Sequence, residues 1–119
     1  GDLEQAMAMY QKSLKIETDL GRKEGMASDY GNMGLVFQTQ GDLEQAMAMY
    51  QKALEINKDL GHKEGMAFDY GNMGTIFKTQ GDLEQAQDSW QRALVLFTEL
   101  GSPHAKTVQS WLDSLKNSK

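Results

Sequence analysis

Tyr30-Gly31-Asn32-Met33-Gly34-Leu35-Val36-Phe37 runs on through Gly41-Asp42-Leu43-Glu44-Gln45-Ala46 to Tyr50-Gln51-Lys52-Ala53-Leu54. Before the Gly41-Asp42 turn, Met26, Tyr30, Met33, Gly34 and Phe37 recur at three- and four-residue spacing, which places them on one stripe of a helix. The segment after the turn has a twin at the start of the chain. There Leu3, Ala6, Met7, Tyr10, Ser13 and Leu14 form a stripe with the same period. Residues 1–40 and 41–80 align without a gap and differ only at positions 13, 15, 17, 18, 22, 28, 35, 36 and 38 of the first copy. A third copy opens with the same Gly-Asp-Leu-Glu-Gln-Ala at 81–86 and then diverges. Terminal repeats of a stacked array depart from the internal ones because one of their faces lacks a neighbour. The divergent end therefore reads as a cap.

Start and stop signals frame each helix. Asp2, Asp42 and Asp82 each stand three residues before a glutamine, a capping-box arrangement in which each side chain satisfies a backbone N–H of the first turn. Gly21, Gly61 and Gly101 can take the left-handed conformation that ends a helix. Ser102-Pro103 is an N-cap and N1 pair, and it leads into a stripe of Val108, Trp111, Leu112 and Leu115. The pattern predicts six helices over 2–20, 23–39, 42–60, 63–79, 82–100 and 103–117, with no strand signal. Gly31 and Gly34 inside one helix each cost about 1 kcal/mol relative to alanine. That helix needs tertiary contacts, and a missing side chain lets a neighbour approach closely.

Composition removes most other function classes. The chain has 119 residues, 12 Lys+Arg against 17 Asp+Glu, and a formal net charge of −5. Nucleic-acid and anionic-membrane partners call for a basic face, which this balance does not supply. No cysteine is present, and His62 and His104 are the two histidines. Thiol chemistry is excluded, and a multi-histidine metal site or a histidine-centred triad has almost no raw material. The longest fully apolar run, Ala93-Leu94-Val95-Leu96-Phe97, is far short of the ~20 residues that span a bilayer. The N-terminus lacks a secretory pattern, and the cysteine-free composition suits a reducing cytoplasm. No phosphate loop, dinucleotide fingerprint or nucleophile elbow occurs. No catalytic residue, cofactor or metal ligand is expected.

The residues resemble the tetratricopeptide repeat family. Tyr30, Met33, Gly34 and Phe37 match the aromatic, large apolar, glycine and aromatic positions of the family's helix A, and Ala46, Tyr50 and Ala53 match helix B. The next pair supplies Tyr70, Met73, Gly74, Phe77, Ala86, Trp90 and Ala93. The resemblance implies an all-α solenoid, with antiparallel helix-turn-helix repeats stacked into a right-handed superhelix. It also implies a non-catalytic role in protein–protein interaction. The period of 40 exceeds the family's usual 34, and the proline that commonly closes helix B is absent. Both features are similar to the longer-helix subtype of kinesin light chains, G-protein-signalling modulators and prokaryotic signalling NTPases, which suggests a scaffold or sensor arm. The chain opens on a helix B (2–20), continues through two complete pairs (23–60 and 63–100) and ends on a capping helix (103–117). It is thus expected to be a single array, 1–119, from the C-terminal part of a longer one.

In this family helix A lines the concave groove. Carried onto this sequence, the peptide-binding positions are Ser28, Asn32, Leu35 and Gln38 in the first pair and Phe68, Asn72, Thr75 and Lys78 in the second. Asn32 and Asn72 stand out, because an amide that both donates and accepts can pair with a peptide backbone without demanding a sequence. Three of the four differences between the two A helices fall on these positions (Ser28/Phe68, Leu35/Thr75, Gln38/Lys78). Lys78 stands alone among uncharged neighbours, so the groove lacks the run of basic residues that would clamp a C-terminal carboxylate. Met33 and Met73 are expected in the core, and Asp29 and Asp69 on a charged surface. The expected partner is a protein or peptide, with no nucleic acid and no membrane. The alternative is self-assembly, a weak homodimer through Leu3, Met7 and Tyr10 of the N-terminal helix, whose stripe lacks the helix A it would normally cover.

Overall fold

Five helix ends close in the same way. In the computed structural model, which describes residues 1–117, Gly21, Gly41, Gly61, Gly81 and Gly101 all have φ between +64° and +83°, a region that favours glycine. At the first of them the Gly21 N–H donates to the Thr18 carbonyl at 3.1 Å and the Arg22 N–H to the Glu17 carbonyl at 2.9 Å. This is the Schellman pairing, and the same two bonds recur at every one of these glycines. The closures separate α1 (Asp2–Asp19), α2 (Lys23–Thr39), α3 (Leu43–Leu60), α4 (Lys63–Thr79), α5 (Leu83–Glu99) and α6 (His104–Asn117). The fold is all-α, and each helix lies within one residue of its predicted span.

The amino-terminal caps correct part of the sequence reading. Asp42 and Asp82 accept from the backbone N–H of Gln45 and Gln85, each at 3.2 Å. The reciprocal half differs from a capping box, since the Gln85 amide donates to the Asp82 carboxylate itself at 3.2 Å. Asp2 is no cap, because α1 begins on it and Gly1 takes the capping position. At α6 the Ser102 hydroxyl accepts from the His104 N–H at 3.2 Å, as a capping serine does.

The helices form two compact units, Gly1–His62 and Lys63–Lys119. In the first, α2 packs against both α1 and α3. Gly34 of α2 is where α3 comes close, since a Cβ there would lie 2.8 Å from the Tyr50 ring. Tyr50, Ala46 and Ala53 have no exposed surface. The Lys52 ammonium sits over the Tyr30 ring, 5.5 Å from its centroid. In the second unit α5 packs against α4 and α6. A Cβ on Gly74 would overlap the Trp90 indole, whose Nε1 donates to the Gly71 carbonyl at 3.0 Å. Arg92 lies over the Tyr70 ring at 5.8 Å. The two units thus repeat one arrangement in which a helix B aromatic is seated on a helix A glycine.

Met33 and Met73 are buried as expected. The expectation for Asp29 and Asp69 was wrong, since they are 6% and 5% exposed. Asp29 accepts from the Ser13 hydroxyl at 2.8 Å, a polar clip between α1 and α2. The A helices bury a wider arc than one stripe because Ala27, Asp29 and Val36 turn inward alongside Met33 and Gly34.

Candidate functional site: the A-helix faces and the cap

Each unit presents its own helix A face. On α2, Ser28, Asn32 and Leu35 are exposed, Leu35 by 53%. Gln38 is half-buried, and its amide oxygen accepts from the Tyr50 hydroxyl at 2.8 Å. The Gln38/Lys78 difference therefore follows the helix B aromatic. Tyr50 reaches an acceptor at Gln38, whereas the Trp90 indole uses the Gly71 carbonyl and leaves Lys78 to solvent. An uncharged strip of hydroxyl, amide and aliphatic groups remains on α2.

The α4 face is partly walled. Phe68 makes edge contacts with Phe97 and His104, both at 5.1 Å between centroids. Phe68 is nonetheless 41% exposed. Asn72 is half-buried at the edge of a cavity of about 60 Å³ lined by Phe68, Gly71, Phe97, His104 and Trp111 among others. Thr75 is half-buried and its hydroxyl donates back to the Gly71 carbonyl at 3.2 Å. The structure thus groups Phe68 and Asn72 around one recess and leaves Lys78 exposed at the far end of α4.

The wall is α6. Val108, Leu112 and Leu115 stand forty residues after Phe68, Asn72 and Thr75, and they are 2%, 5% and 3% exposed. The last helix therefore turns inward the positions that α2 shows to solvent and that α4 leaves partly open. Trp111 packs on Trp90 with centroids 5.4 Å apart and comes within 4.0 Å of a Cβ built on Gly71. The predicted apolar stripe of α6 is present, although Trp111 keeps 38% of its surface exposed.

On α1 the three residues of the predicted self-association face divide. Leu3 is 38% exposed, whereas Met7 and Tyr10 are half-buried. The residue that the sequence reading missed is Met9, 70% exposed. Its signal was available, since Met9 and Tyr10 are adjacent on the helix face that Met49 and Tyr50 bury in α3.

Residues 1–59 match the family profile described as tetratricopeptide repeat. The chain belongs to the tetratricopeptide repeat family. As a tetratricopeptide module it is of the kind that mediates protein–protein interaction. Among solved structures it is similar to BtubC (BKLC) from P. vanneervenii, with a TM-score of 0.90 and 25% identity over 99% of this chain. The chain spans about half the length of that protein, 49% of it. It also resembles the N-terminal domain of stress-induced protein-1 (STI-1) from C. elegans, with a TM-score of 0.67 and 15% identity over 98% of each chain. At that identity the likeness concerns the fold alone. A search of curated proteins finds no match. No helix among the described residues is long and apolar enough to cross a membrane.

Proposed function

We propose that this tetratricopeptide module binds a peptide or helical segment of a partner protein through the exposed faces of its A helices, without chemistry of its own, as a scaffold or sensor arm of a larger protein. The observation that carries the reading is the pair Asn32 and Asn72. They occupy the same place on α2 and α4, yet each stands outside the buried set of its helix. An amide there can both donate to and accept from a backbone, while Leu35 and Phe68 offer exposed apolar surface beside it. Ser28, Gln38, Thr75 and Lys78 complete the two faces. Lys78 as the sole cation among these positions favours segments without a cluster of acidic residues.

The test uses a phage-displayed library of random peptides panned against the full chain. Recovered peptides are expected to lose roughly tenfold or more in affinity for the Asn32→Ala, Asn72→Ala double variant, with far-UV circular dichroism unchanged. Undiminished binding by the double variant would remove these amides from the site.

A further inference from the structure

Gly71 and Gly74 stand three residues apart on α4 and do opposite things. Gly74 is a notch that seats the Trp90 indole, whereas a Cβ on Gly71 would find no atom nearer than Trp111 at 4.0 Å. The missing side chain at Gly71 thus leaves room, and that room belongs to the cavity between α4, α5 and α6. Phe97 of α5 and Val108 of α6 are each 2% exposed and make fixed walls. Phe68 and Trp111 line the same cavity but keep exposed surface, and large apolar groups left open around one recess mark a binding site. The polar lining is Asn72, His104 and Thr107, with no carboxylate, lysine or arginine.

We propose that this recess is an anchor pocket for one branched aliphatic side chain, leucine or isoleucine, of the bound segment, with the Asn72 amide pairing to the backbone of that same residue. The proposal rests on the reading of the A-helix faces as a peptide site and adds to it a side chain and a register. Size selects the occupant. On the scale where one water needs ~10–15 Å³, a cavity of about 60 Å³ takes about four heavy atoms. That is the butyl group of leucine or isoleucine, and it is too little for a phenylalanine ring. Charge selects in the same direction, since an ammonium or carboxylate entering the pocket would lose its water and find no ion partner. On α2, Ser28 stands where α4 has Phe68, so the first unit lacks the ring that walls the recess. The anchor therefore lies at α4.

The experiment titrates N-acetyl-leucine N-methylamide into the nitrogen-labelled full chain and follows the Trp111 indole N–H and the Asn72 side-chain amide in nitrogen–proton correlation spectra. Saturable shifts of both are expected, with a dissociation constant of roughly 1–10 mM for so small a ligand. The equally capped amides of glycine, glutamate and phenylalanine should bind roughly tenfold or more weakly. Gly71→Ala adds one carbon to the pocket without a clash, so the chain should melt no lower. The leucine probe should nevertheless weaken roughly tenfold on that variant, and the capped valine amide, one carbon shorter, should become the better ligand. No saturable shift up to about 50 mM, equal binding of the glycine probe, or indifference to Gly71→Ala would overturn the pocket. Displayed peptides that require Asn32 and Asn72 but bind the Gly71→Ala chain undiminished would also overturn it, while leaving the A-helix faces in place. Leucine binding governed by Gly71, beside displayed peptides indifferent to Asn32 and Asn72, would support the pocket and remove the wider faces.

Discussion

Removal of residues 103–119 is expected to lower the melting temperature by roughly 10 °C or more and to make the chain aggregate. The deletion takes away Val108, Leu112 and Leu115, three nearly buried apolar side chains that each contribute about 1.5–3 kcal/mol on burial. Part of that gain is offset by the entropy of ordering the helix. What remains on α5 is bare aromatic surface, because Phe97 and Trp90 are 2% and 3% exposed with α6 in place. Leu100, which follows α5, is already 44% exposed and loses little. A sharper variant is Leu112→Asn, which restores the residue found at the aligned positions Asn32 and Asn72. On a helix oriented like α2 that amide would face solvent. Here it would be buried against α5, and a loss of about 2–4 kcal/mol is expected. Thermal melts of the two variants beside the parent decide the matter. A truncated chain that melts as high and stays soluble would show that α6 is not a cap.

Alanine at Gly74 should destabilise the chain by about 1–3 kcal/mol, even though alanine is the better helix former by about 1 kcal/mol. The added Cβ would overlap the Trp90 ring, and that ring cannot retreat, being buried and tethered through its Nε1 to the Gly71 carbonyl. Gly31→Ala is expected to have the opposite sign. Nothing lies within 4 Å of a Cβ at that position, so only the propensity gain remains, up to about 1 kcal/mol. Urea unfolding of both variants separates the two roles of glycine in this family's helix A. A stabilised Gly74→Ala would mean that the indole has room to move and that the notch does not hold the pair together.

The periodicity of Met26, Tyr30, Met33, Gly34 and Phe37, with a turn glycine after each of the first five helices, made the six helices and their phases legible in the sequence. Helix phase follows from local spacing, and a left-handed closure follows from one residue type. Side-chain pairing across helices was not legible. That the Gln38 amide accepts from Tyr50 could not be read from its place on the helix, and Asp29 reads as surface until Ser13 is seen beside it. Both depend on which residues two helices bring together, and repeat spacing within one helix carries no information about that. Phe68 was recognised as a departure from Ser28, but its contacts are with Phe97 in the diverged end of α5 and with His104 of the cap, where the sequence breaks the repeat. Met9 aligns with Met49, so the repeat placed it, but its 70% exposure against 9% for Met49 is a matter of packing that spacing within one helix does not carry.

The central claim is that partner segments lie on the A-helix faces. It is tested most directly by nitrogen–proton correlation spectra of the labelled chain, titrated with a peptide recovered from the displayed library. The account predicts that the side-chain amides of Asn32 and Asn72 and the backbone amides of Ser28, Leu35, Thr75 and Lys78 shift together. The exposed B-helix residues Gln51 and Gln91 should stay in place. Shifts confined to Gln51, Gln91 and their neighbours, with Asn32 and Asn72 unmoved, would contradict it.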